Sequence, residues 1–294
     1  MKFGGTSVGD ATAIRRLVAV VGQALDSAPL VVVSAMARVT NALLALDGAL
    51  AAGDTAAATT LLRALRDRHA AVANELRLSD AVQAAVRESF HQLEDIVRDA
   101  PHGSDARRRD LVAGFGELWS SWLVVGACET GGLLVDWFDA RSVIRTDEHF
   151  GSAIPEEAVI RAASAAAITP KLGSGRVVVT QGFIGATAAG VPTTLGRGGS
   201  DFSAALLGAA LDAERVEIWT DVDGLMSADP RVVPGARLLT HATYDEAAEL
   251  AAFGAKVLHP ATQLPLVEAG IPIVIRNTFA PEKPGTWIGA ESLD

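Results

Sequence analysis

Short apolar runs rich in β-branched residues recur along the chain, and they limit its possible folds more than any other feature. The first run is Leu30-Val31-Val32-Val33-Ser34, which is long enough for a buried strand and too short for a helix. Continuous apolar runs of this kind are typical of parallel sheets that are covered on both faces. Further runs that predict strands are Leu133–Phe138, Val177–Thr180, Val191–Leu195, Val216–Thr220 and Ile271–Ile275.

Helical patterns separate these predicted strands. Residues 41–125 are rich in Ala, Leu, Arg and Glu with apolar residues at helical spacing, and Pro101–Ser104 divides them into at least two pieces. We therefore expect a helical insertion in the first half of the chain. Phe202–Ala210 and Tyr244–Phe253 predict two later helices. This alternation of strands and helices predicts a layered α/β fold.

Composition narrows the classes of function. The chain has 294 residues, with 25 Lys and Arg against 35 Asp and Glu, so its net charge is −10. That balance argues against a surface for nucleic acid or an anionic membrane, because phosphate contacts need a basic face. We see no apolar run near the roughly 18 residues of a membrane span and no apolar signal-peptide core. The single cysteine, Cys128, excludes an intramolecular disulfide and a zinc site of several cysteines. These features predict an acidic cytoplasmic protein that handles small molecules.

Two glycine-rich turns are the strongest candidates for binding anions. In Lys2–Val8 a lysine precedes two glycines, whose backbone N–H groups can approach a phosphate closely. Gly196–Asp201 lies between a predicted strand and a predicted helix, and Arg197 there can bind a carboxylate through two parallel hydrogen bonds. Other roles stay open at this point: the first turn can be a plain surface turn, and Ser200 or Asp201 can cap the helix.

Polar residues also follow the predicted strand Val216–Thr220. Thr220–Gly224 and Ser227–Arg231 carry carboxylates at the strand end where ligands bind in α/β proteins, although each can also be a plain turn. Gly254–Pro260 contributes Lys256, either as a ligand-binding cation or as a cation that complements a helix C-terminus.

Several well-known enzyme signatures are absent from the sequence. It contains no Gly-Lys-Ser/Thr of a P-loop, no His-Arg-Asp or Asp-Phe-Gly of protein kinases, no HExxH and no Gly-x-Ser-x-Gly. Gly114–Glu117 lacks the third glycine and the preceding strand of a dinucleotide fingerprint. The sequence therefore disfavours a dehydrogenase.

Taken in order, the motifs resemble those of aspartate kinases. They are Lys2–Val8, Val33–Met36 with Val39–Asn41, Gly114–Glu117, Gly196–Asp201, Thr220–Gly224, Asp229–Arg231 and Gly254–Pro260. The resemblance covers Lys2 to Ile288 and implies the amino-acid kinase fold, an open and mostly parallel sheet sandwiched by helices. It implies one catalytic domain, residues 1–294, in which about 1–195 bind the amino acid and about 196–294 bind ATP.

The reaction that the resemblance implies is transfer of the γ-phosphoryl group of ATP, with Mg²⁺, to the side-chain carboxylate of L-aspartate. The product is 4-phospho-L-aspartate, and the step opens the biosynthesis of lysine, threonine and methionine. That carboxylate, with an ordinary pKa of about 3.9, is already ionised at neutral pH, so no general base is needed.

The matching motifs also imply roles for individual residues. Arg197 should bind the α-carboxylate of aspartate and Glu117 its ammonium group. The implied catalytic residues are Lys2, Lys256 and Asp201, and the implied substrate-binding residues are Ser34, Thr40, Glu117, Arg197, Gly199 and Ser200. The implied ATP-binding residues are Gly4, Gly5, Thr220, Asp221, Met226, Arg231 and Lys256.

The sequence departs from the aspartate kinase pattern at three places. Family members usually carry an apolar strand before the Lys-Phe-Gly-Gly turn, and here one residue precedes Lys2, so we expect Lys2 to be poorly anchored. Met226 stands where the family often has a tyrosine near the adenine, and methionine packs on a base less rigidly. After Ile288 no residues remain for the paired ACT domains that sense lysine or threonine, so we expect a catalytic domain without them.

Two other functions compete with this interpretation. Arg197 and Glu117 recognise any α-amino acid, which leaves open an acyl-phosphate-forming kinase of another amino-acid-like substrate. A non-catalytic subunit that binds ATP or aspartate is the second alternative, and the presence of Lys2, Lys256 and Asp201 argues against it. The resemblance is compatible with a homodimer and with fusion to, or association with, a further domain. Neither a nucleic acid nor a membrane is an expected partner.

Overall fold

The computed structural model describes residues 1–173, 175–228, 232–233, 235–252 and 260–290. Its helices are α1 Ala11–Gly22, α2 Val39–Ala51, α3 Thr55–Glu75, α4 Asp80–Asp99, α5 Ala106–Thr130, α6 Glu157–Ala167, α7 Gly199–Ala210, α8 Tyr244–Ala252 and α9 Pro260–Ala269. Its strands are β1 Lys2–Phe3, β2 Leu30–Val33, β3 Leu134–Phe138, β4 Arg176–Gln181, β5 Ile184–Ala186, β6 Pro192–Thr194, β7 Val216–Thr220, β8 His241–Thr243, β9 Ile273–Asn277 and β10 Thr286–Gly289.

Eight of these strands form one sheet in the order β3-β4-β2-β1-β7-β9-β10-β8. Neighbouring strands are parallel, except that β9 and β10 are antiparallel. Helices flank the sheet, so the predicted α/β fold with a mostly parallel sheet is confirmed. The predicted strand at Val191–Leu195 is β6, which pairs with β5 in a separate antiparallel sheet. The first four strands in this order lie within residues 1–195, the part of the chain predicted to bind the amino acid. The boundary near residue 195 stays a prediction.

The shortest strand, β1, lies in the middle of the sheet. Lys2 and Phe3 pair with β2 on one side and with β7 on the other. The Phe3 ring is buried and stacks on Trp219 with 5.8 Å between ring centroids. The ammonium group of Met1 donates a hydrogen bond of 2.7 Å to the carbonyl oxygen of Leu30, and burial lowers the pKa of this group to about 6. The expectation that Lys2 is poorly anchored is therefore wrong, because strand pairing on both sides fixes its backbone.

The helical insertion lies between β2 and β3 and consists of α2 to α5, with Pro101–Ser104 separating α4 from α5 as predicted. Among the described helices, α5 is long and apolar enough to cross a membrane, but 83% of its apolar window is buried inside the protein. Packing in the core accounts for that composition. Gly116 allows α5 to approach the chain after β2, because a Cβ atom there would lie 2.8 Å from the Cβ of Ala35.

A histidine is buried in the core of this insertion. The His69 ring packs edge-on against Trp119 and Phe90, with centroid distances of 4.9 Å and 5.6 Å. Its Nδ1 lies 2.7 Å from the carbonyl oxygen of Leu65, which makes Nδ1 the protonated nitrogen of the neutral ring. Its Nε2 has no hydrogen-bond partner among the described residues. Burial lowers the pKa of His69 from 6.5 to about 4, so the imidazole is neutral in the folded protein.

This burial predicts a pH-dependent stability that replacement of His69 removes. The unfolded chain takes up a proton on His69 near pH 6.5, whereas the folded protein resists it down to about pH 4. The stabilisation by neutral His69 is thus complete above pH 6.5 and is lost as the pH falls toward 4. We expect the free energy of unfolding to fall more steeply over this window for the parent protein than for His69→Leu, measured by urea titration. The control His91→Leu, at an exposed position of α4, should follow the parent, and equal slopes for parent and His69→Leu would contradict the account.

Candidate active site

The turns that follow β1, β2 and β4 meet at the carboxyl edge of the sheet, where ligands bind in open α/β folds. A cavity of about 780 Å³ lies at this edge. It is lined by nine of the residues predicted from sequence: Lys2, Gly5, Ser34, Thr40, Glu117, Arg197, Gly199, Ser200 and Asp201. The fold thus brings together every residue predicted to bind the amino acid, from the chain after β2, from α5 and from the Gly196–Asp201 turn.

The turn after β1 is packed so closely that glycine is required. A Cβ atom on Gly5 would lie 2.9 Å from the carbonyl oxygen of Ala35. The backbone holds this approach through hydrogen bonds from Gly4 N to the carbonyl oxygen of Trp219 at 3.1 Å and from Ala37 N to that of Gly5 at 3.0 Å. The first glycine-rich motif therefore joins β1 to the turn after β2 at the wall of the cavity.

An ion pair crosses the cavity from this turn to α7. Lys2 Nζ lies 2.7 Å from Asp201 Oδ1, and the two side chains are only 10% and 19% exposed. Asp201 lies in the first turn of α7, whose N-cap is Gly198 with a φ of 72° and no side-chain cap. The alternative in which Ser200 or Asp201 caps the helix is therefore wrong. Instead, Asp201 positions the ammonium group of Lys2 inside the cavity.

A buried carboxyl group from α5 forms part of the lining. Glu117 is 3% exposed, and its Oε1 accepts a hydrogen bond of 3.1 Å from Ala35 N. Its Oε2 has no partner among the described residues. Burial raises the pKa of Glu117 to about 8, because a carboxylate without a cation nearby loses its hydration. A cationic group that entered the cavity could supply this missing partner.

The second glycine-rich turn carries an exposed cation into the cavity lining. Gly196 and Gly198 have φ angles of 75° and 72°, which are left-handed conformations that glycine adopts without strain. Arg197 between them is exposed, and within the described residues its guanidinium makes no ion pair or side-chain hydrogen bond. Such a guanidinium can bind a carboxylate through both of its outer nitrogens.

Sequence reasoning missed further residues of the cavity, namely Arg38, Arg109, Asp110 and Phe183. The non-glycine residues with positive φ in the described ranges are Ala28, Arg38, Arg77, Phe183 and Asp212. Ala28 follows a short 3-10 helix, Leu25–Ser27, and Arg77 and Asp212 follow α3 and α7, whereas Arg38 and Phe183 line the cavity. No sequence signal predicts those two conformations. Asp110 lies seven residues before Glu117 on α5, and that helical spacing could have placed both carboxyl groups on one face.

Three residues predicted to bind ATP, Thr220, Asp221 and Met226, lie at or after the carboxyl end of β7, the strand next to β1. Thr220 ends β7, and its Oγ1 donates a hydrogen bond of 3.3 Å to Oδ1 of the exposed Asp221. Met226 is half-buried and forms an isolated β-bridge with Leu238. These three residues and Gly4 lie outside the cavity lining, and their roles stay predictions. Arg231 and Lys256, with the rest of Asp229–Arg231 and most of Gly254–Pro260, lie outside the described residues.

Known proteins show the same fold and sequence pattern. The sequence profile of the amino acid kinase family matches residues 1–277. The chain is 40% identical over 289 residues to lysine-sensitive aspartokinase 3 of Escherichia coli, covering 98% of this chain and 63% of that protein. It is 37% identical to the chloroplastic bifunctional aspartokinase/homoserine dehydrogenase 2 of Arabidopsis thaliana, over 98% of this chain and 32% of that protein.

A solved structure agrees with these relatives. The crystal structure of E. coli aspartokinase III in complex with aspartate and ADP superposes with a TM-score of 0.90 at 40% identity, over 99% of this chain and 64% of that one. The chain belongs to the amino acid kinase family. Within that family it is similar to aspartokinases, and it spans less than two thirds of the length of these relatives.

The buried carboxyl group predicts a second pH effect on stability. In the unfolded chain Glu117 ionises near its ordinary pKa of 4.5, whereas in the folded protein it holds its proton up to about pH 8. Ionisation therefore favours the unfolded state as the pH rises through this window. We expect the free energy of unfolding of the parent protein to decline between pH 4.5 and 8 relative to Glu117→Gln, which cannot ionise. Urea titrations at several pH values measure this difference.

Glu129→Gln, at an exposed position near the end of the same helix, is the matched control and should keep the pH profile of the parent. A Glu117→Gln profile parallel to that of the parent would show that Glu117 is ionised in the folded state.

Proposed function

We propose that the protein is an aspartate kinase. It transfers the γ-phosphoryl group of MgATP to the side-chain carboxylate of L-aspartate and forms 4-phospho-L-aspartate, as a cytoplasmic enzyme of amino-acid biosynthesis. The observation that carries this proposal is one cavity that combines the Lys2–Asp201 pair with Arg197 and a Glu117 oxygen, neither of which has a partner among the described residues. The likeness to aspartokinases, one of them solved with aspartate and ADP, supports it.

Recognition of the amino acid requires groups of opposite charge at two ends of the substrate. Arg197 binds the α-carboxylate, and Glu117 binds the α-ammonium group through Oε2, which has no partner in the described part of the chain. Ser34, Thr40, Gly199 and Ser200 complete this pocket. Since burial raises the pKa of Glu117 to about 8, binding of an ammonium group at neutral pH draws the proton off Glu117. Aspartate binding at pH 7 should thus be accompanied by proton release.

Transfer of the phosphoryl group depends on positioning and on cations, because the attacking carboxylate and the phosphate are both anionic. Lys2 and the amide group of Gly5 stabilise the group in transfer, and Asp201 orients the ammonium group of Lys2. The amide group of Gly4, predicted for the same role, already donates to the carbonyl oxygen of Trp219. Mg²⁺ enters with the nucleotide and neutralises phosphate charge. Thr220, Asp221 and Met226 bind ATP together with Arg231 and Lys256. The bifunctional plant relative suggests fusion to a further domain as one context for this catalytic unit, and a homodimer is another.

A related kinase with a different amino-acid-like substrate is the second candidate function. Arg197 and Glu117 contact only the groups that all α-amino acids share, so they do not by themselves select aspartate. A panel of amino acids in an assay of ADP release distinguishes the candidates. Turnover with aspartate and with no other amino acid of the panel favours an aspartate kinase. Turnover only with another amino acid favours a kinase of that substrate.

Replacing Arg197 by lysine tests the recognition step. Lysine keeps the charge but loses the planar fork that pairs with a carboxylate. We expect the KM for aspartate to rise at least about tenfold, roughly 1.4 kcal/mol, while the KM for ATP stays within about twofold. Steady-state kinetics with each substrate varied in turn measures both constants.

Arg161→Lys, on the exposed face of α6 and paired with Asp212, is the matched control and should leave both constants unchanged. Equal increases for aspartate and ATP in Arg197→Lys would refute the assignment of Arg197 to the α-carboxylate.

A further inference from the structure

A second buried carboxylate lies beside the cavity and has no role in the chemistry described so far. Asp110 is 2% exposed and belongs to the second turn of α5. Its Oδ2 accepts hydrogen bonds from Gly151 N at 2.9 Å and from Thr194 N at 2.8 Å, and its Oδ1 accepts one from Thr194 Oγ1 at 2.9 Å. One side chain thus satisfies three donors that belong to two other segments of the chain.

Both segments lead to the turn that carries Arg197. Thr194 ends β6, two residues before Gly196. Gly151 lies directly behind that turn, since a Cβ atom added to Gly196 would lie 3.1 Å from the carbonyl oxygen of Gly151. Ala153 N donates a further hydrogen bond of 2.9 Å to the carbonyl oxygen of Thr194, which ties the two segments together. The carboxylate of Asp110 therefore fixes the strand end and the backing of the turn at once.

We infer that Asp110 is a positioning residue, which holds the Gly196–Gly198 turn so that Arg197 reaches the carboxylate of the amino acid. This inference rests on the proposed function of Arg197. Oδ2 must accept, because the N–H groups of Gly151 and Thr194 both point at it, whereas the hydroxyl group of Thr194 at Oδ1 can donate or accept. Asp110→Asn can keep its amide oxygen on the two N–H groups and turn its NH₂ group toward Thr194 Oγ1, but the loss of charge weakens all three hydrogen bonds, since bonds to an ionised acceptor are roughly twice as strong as neutral ones.

The test is a cycle of variants followed by steady-state kinetics. We expect Asp110→Asn to raise the KM for aspartate about tenfold, with the KM for ATP and kcat within about threefold of the parent. If Asp110 acts through Arg197, the same change in an Arg197→Ala background should alter the KM for aspartate by less than about twofold, because neighbouring residues that act as one unit are not additive. Thr194→Val removes only the hydroxyl donor and should produce a smaller effect in the same direction.

Asp47→Asn is the matched control for damage to the fold. Asp47 of α2 is also a buried carboxylate, and it is paired at 2.6 Å with Arg108 of α5, the helix that carries Asp110. It lies outside the cavity lining. This control should lower the melting temperature without changing the KM for aspartate. Should Asp110→Asn fail to fold, Thr194→Val carries the same test in parent and Arg197→Ala backgrounds.

The outcomes separate this inference from the proposed function. Independent, multiplicative effects of Asp110→Asn and Arg197→Ala, or equal changes in the KM for aspartate and ATP, would overturn the positioning role. A parent protein that does not turn over aspartate would overturn the proposed function instead. The cycle is then measured with the amino acid that the parent protein accepts. If the effects of Asp110→Asn and Arg197→Ala on its KM are independent, the inference is overturned.

Discussion

The ion pair between Lys2 and Asp201 joins the two glycine-rich turns on which the geometry of the cavity depends. Lys2 comes from the central strand β1 and Asp201 from the first turn of α7, and neither side chain is more than about a fifth exposed. Removing such charges from water costs several kcal/mol per ion, and the attraction within the pair does little more than offset that cost. The pair is therefore a poor explanation of stability. It is better explained by the need for a cation at a fixed position beside an anionic ligand.

The charges around the cavity follow from how each group is paired. Lys2 and Asp201 neutralise each other, and Glu117 holds a proton below about pH 8. The lining then carries the exposed guanidinium groups of Arg38, Arg109 and Arg197 against the carboxyl group of Asp110, although the whole chain carries a net charge of −10. A positive cavity in an acidic protein concentrates anionic substrates and raises their rate of association.

The sequence predicted those parts of the fold in which a local pattern is long enough to be read. The strands β2 and β4 contain continuous apolar runs, β7 carries three apolar residues among its five, and Pro101–Ser104 marks a helix break, so each was predicted near its observed bounds. The two residues of β1 are too few to show a period, and the sheet's pairing on both sides decides their structure. Helices α1, α6 and α9 and strands β5, β8 and β10 were not predicted. The three strands are three or four residues long and depend on their neighbours.

Glycine turns and charged residues form recognisable motifs, and for this reason most of the residues predicted for the amino-acid site meet in one cavity, while their roles stay predictions. Asp110 was missed because a carboxylate near a helix start is usually solvated, and only the folded chain shows its three donors. Arg38 was missed because its left-handed conformation is set by the turn after β2 rather than by its own side chain. Arg231 and Lys256, which were predicted for the nucleotide side, lie outside the described residues.

The most direct test of the central claim is the chemical identity of the product. An acyl phosphate formed in the presence of hydroxylamine is converted to a stable hydroxamate, and mass spectrometry with reference standards shows which carboxyl group was activated. With L-aspartate and MgATP, the account predicts aspartate β-hydroxamate in an amount equal to the ADP released. Formation of ADP without any aspartyl hydroxamate, or formation of the α-hydroxamate, would contradict it.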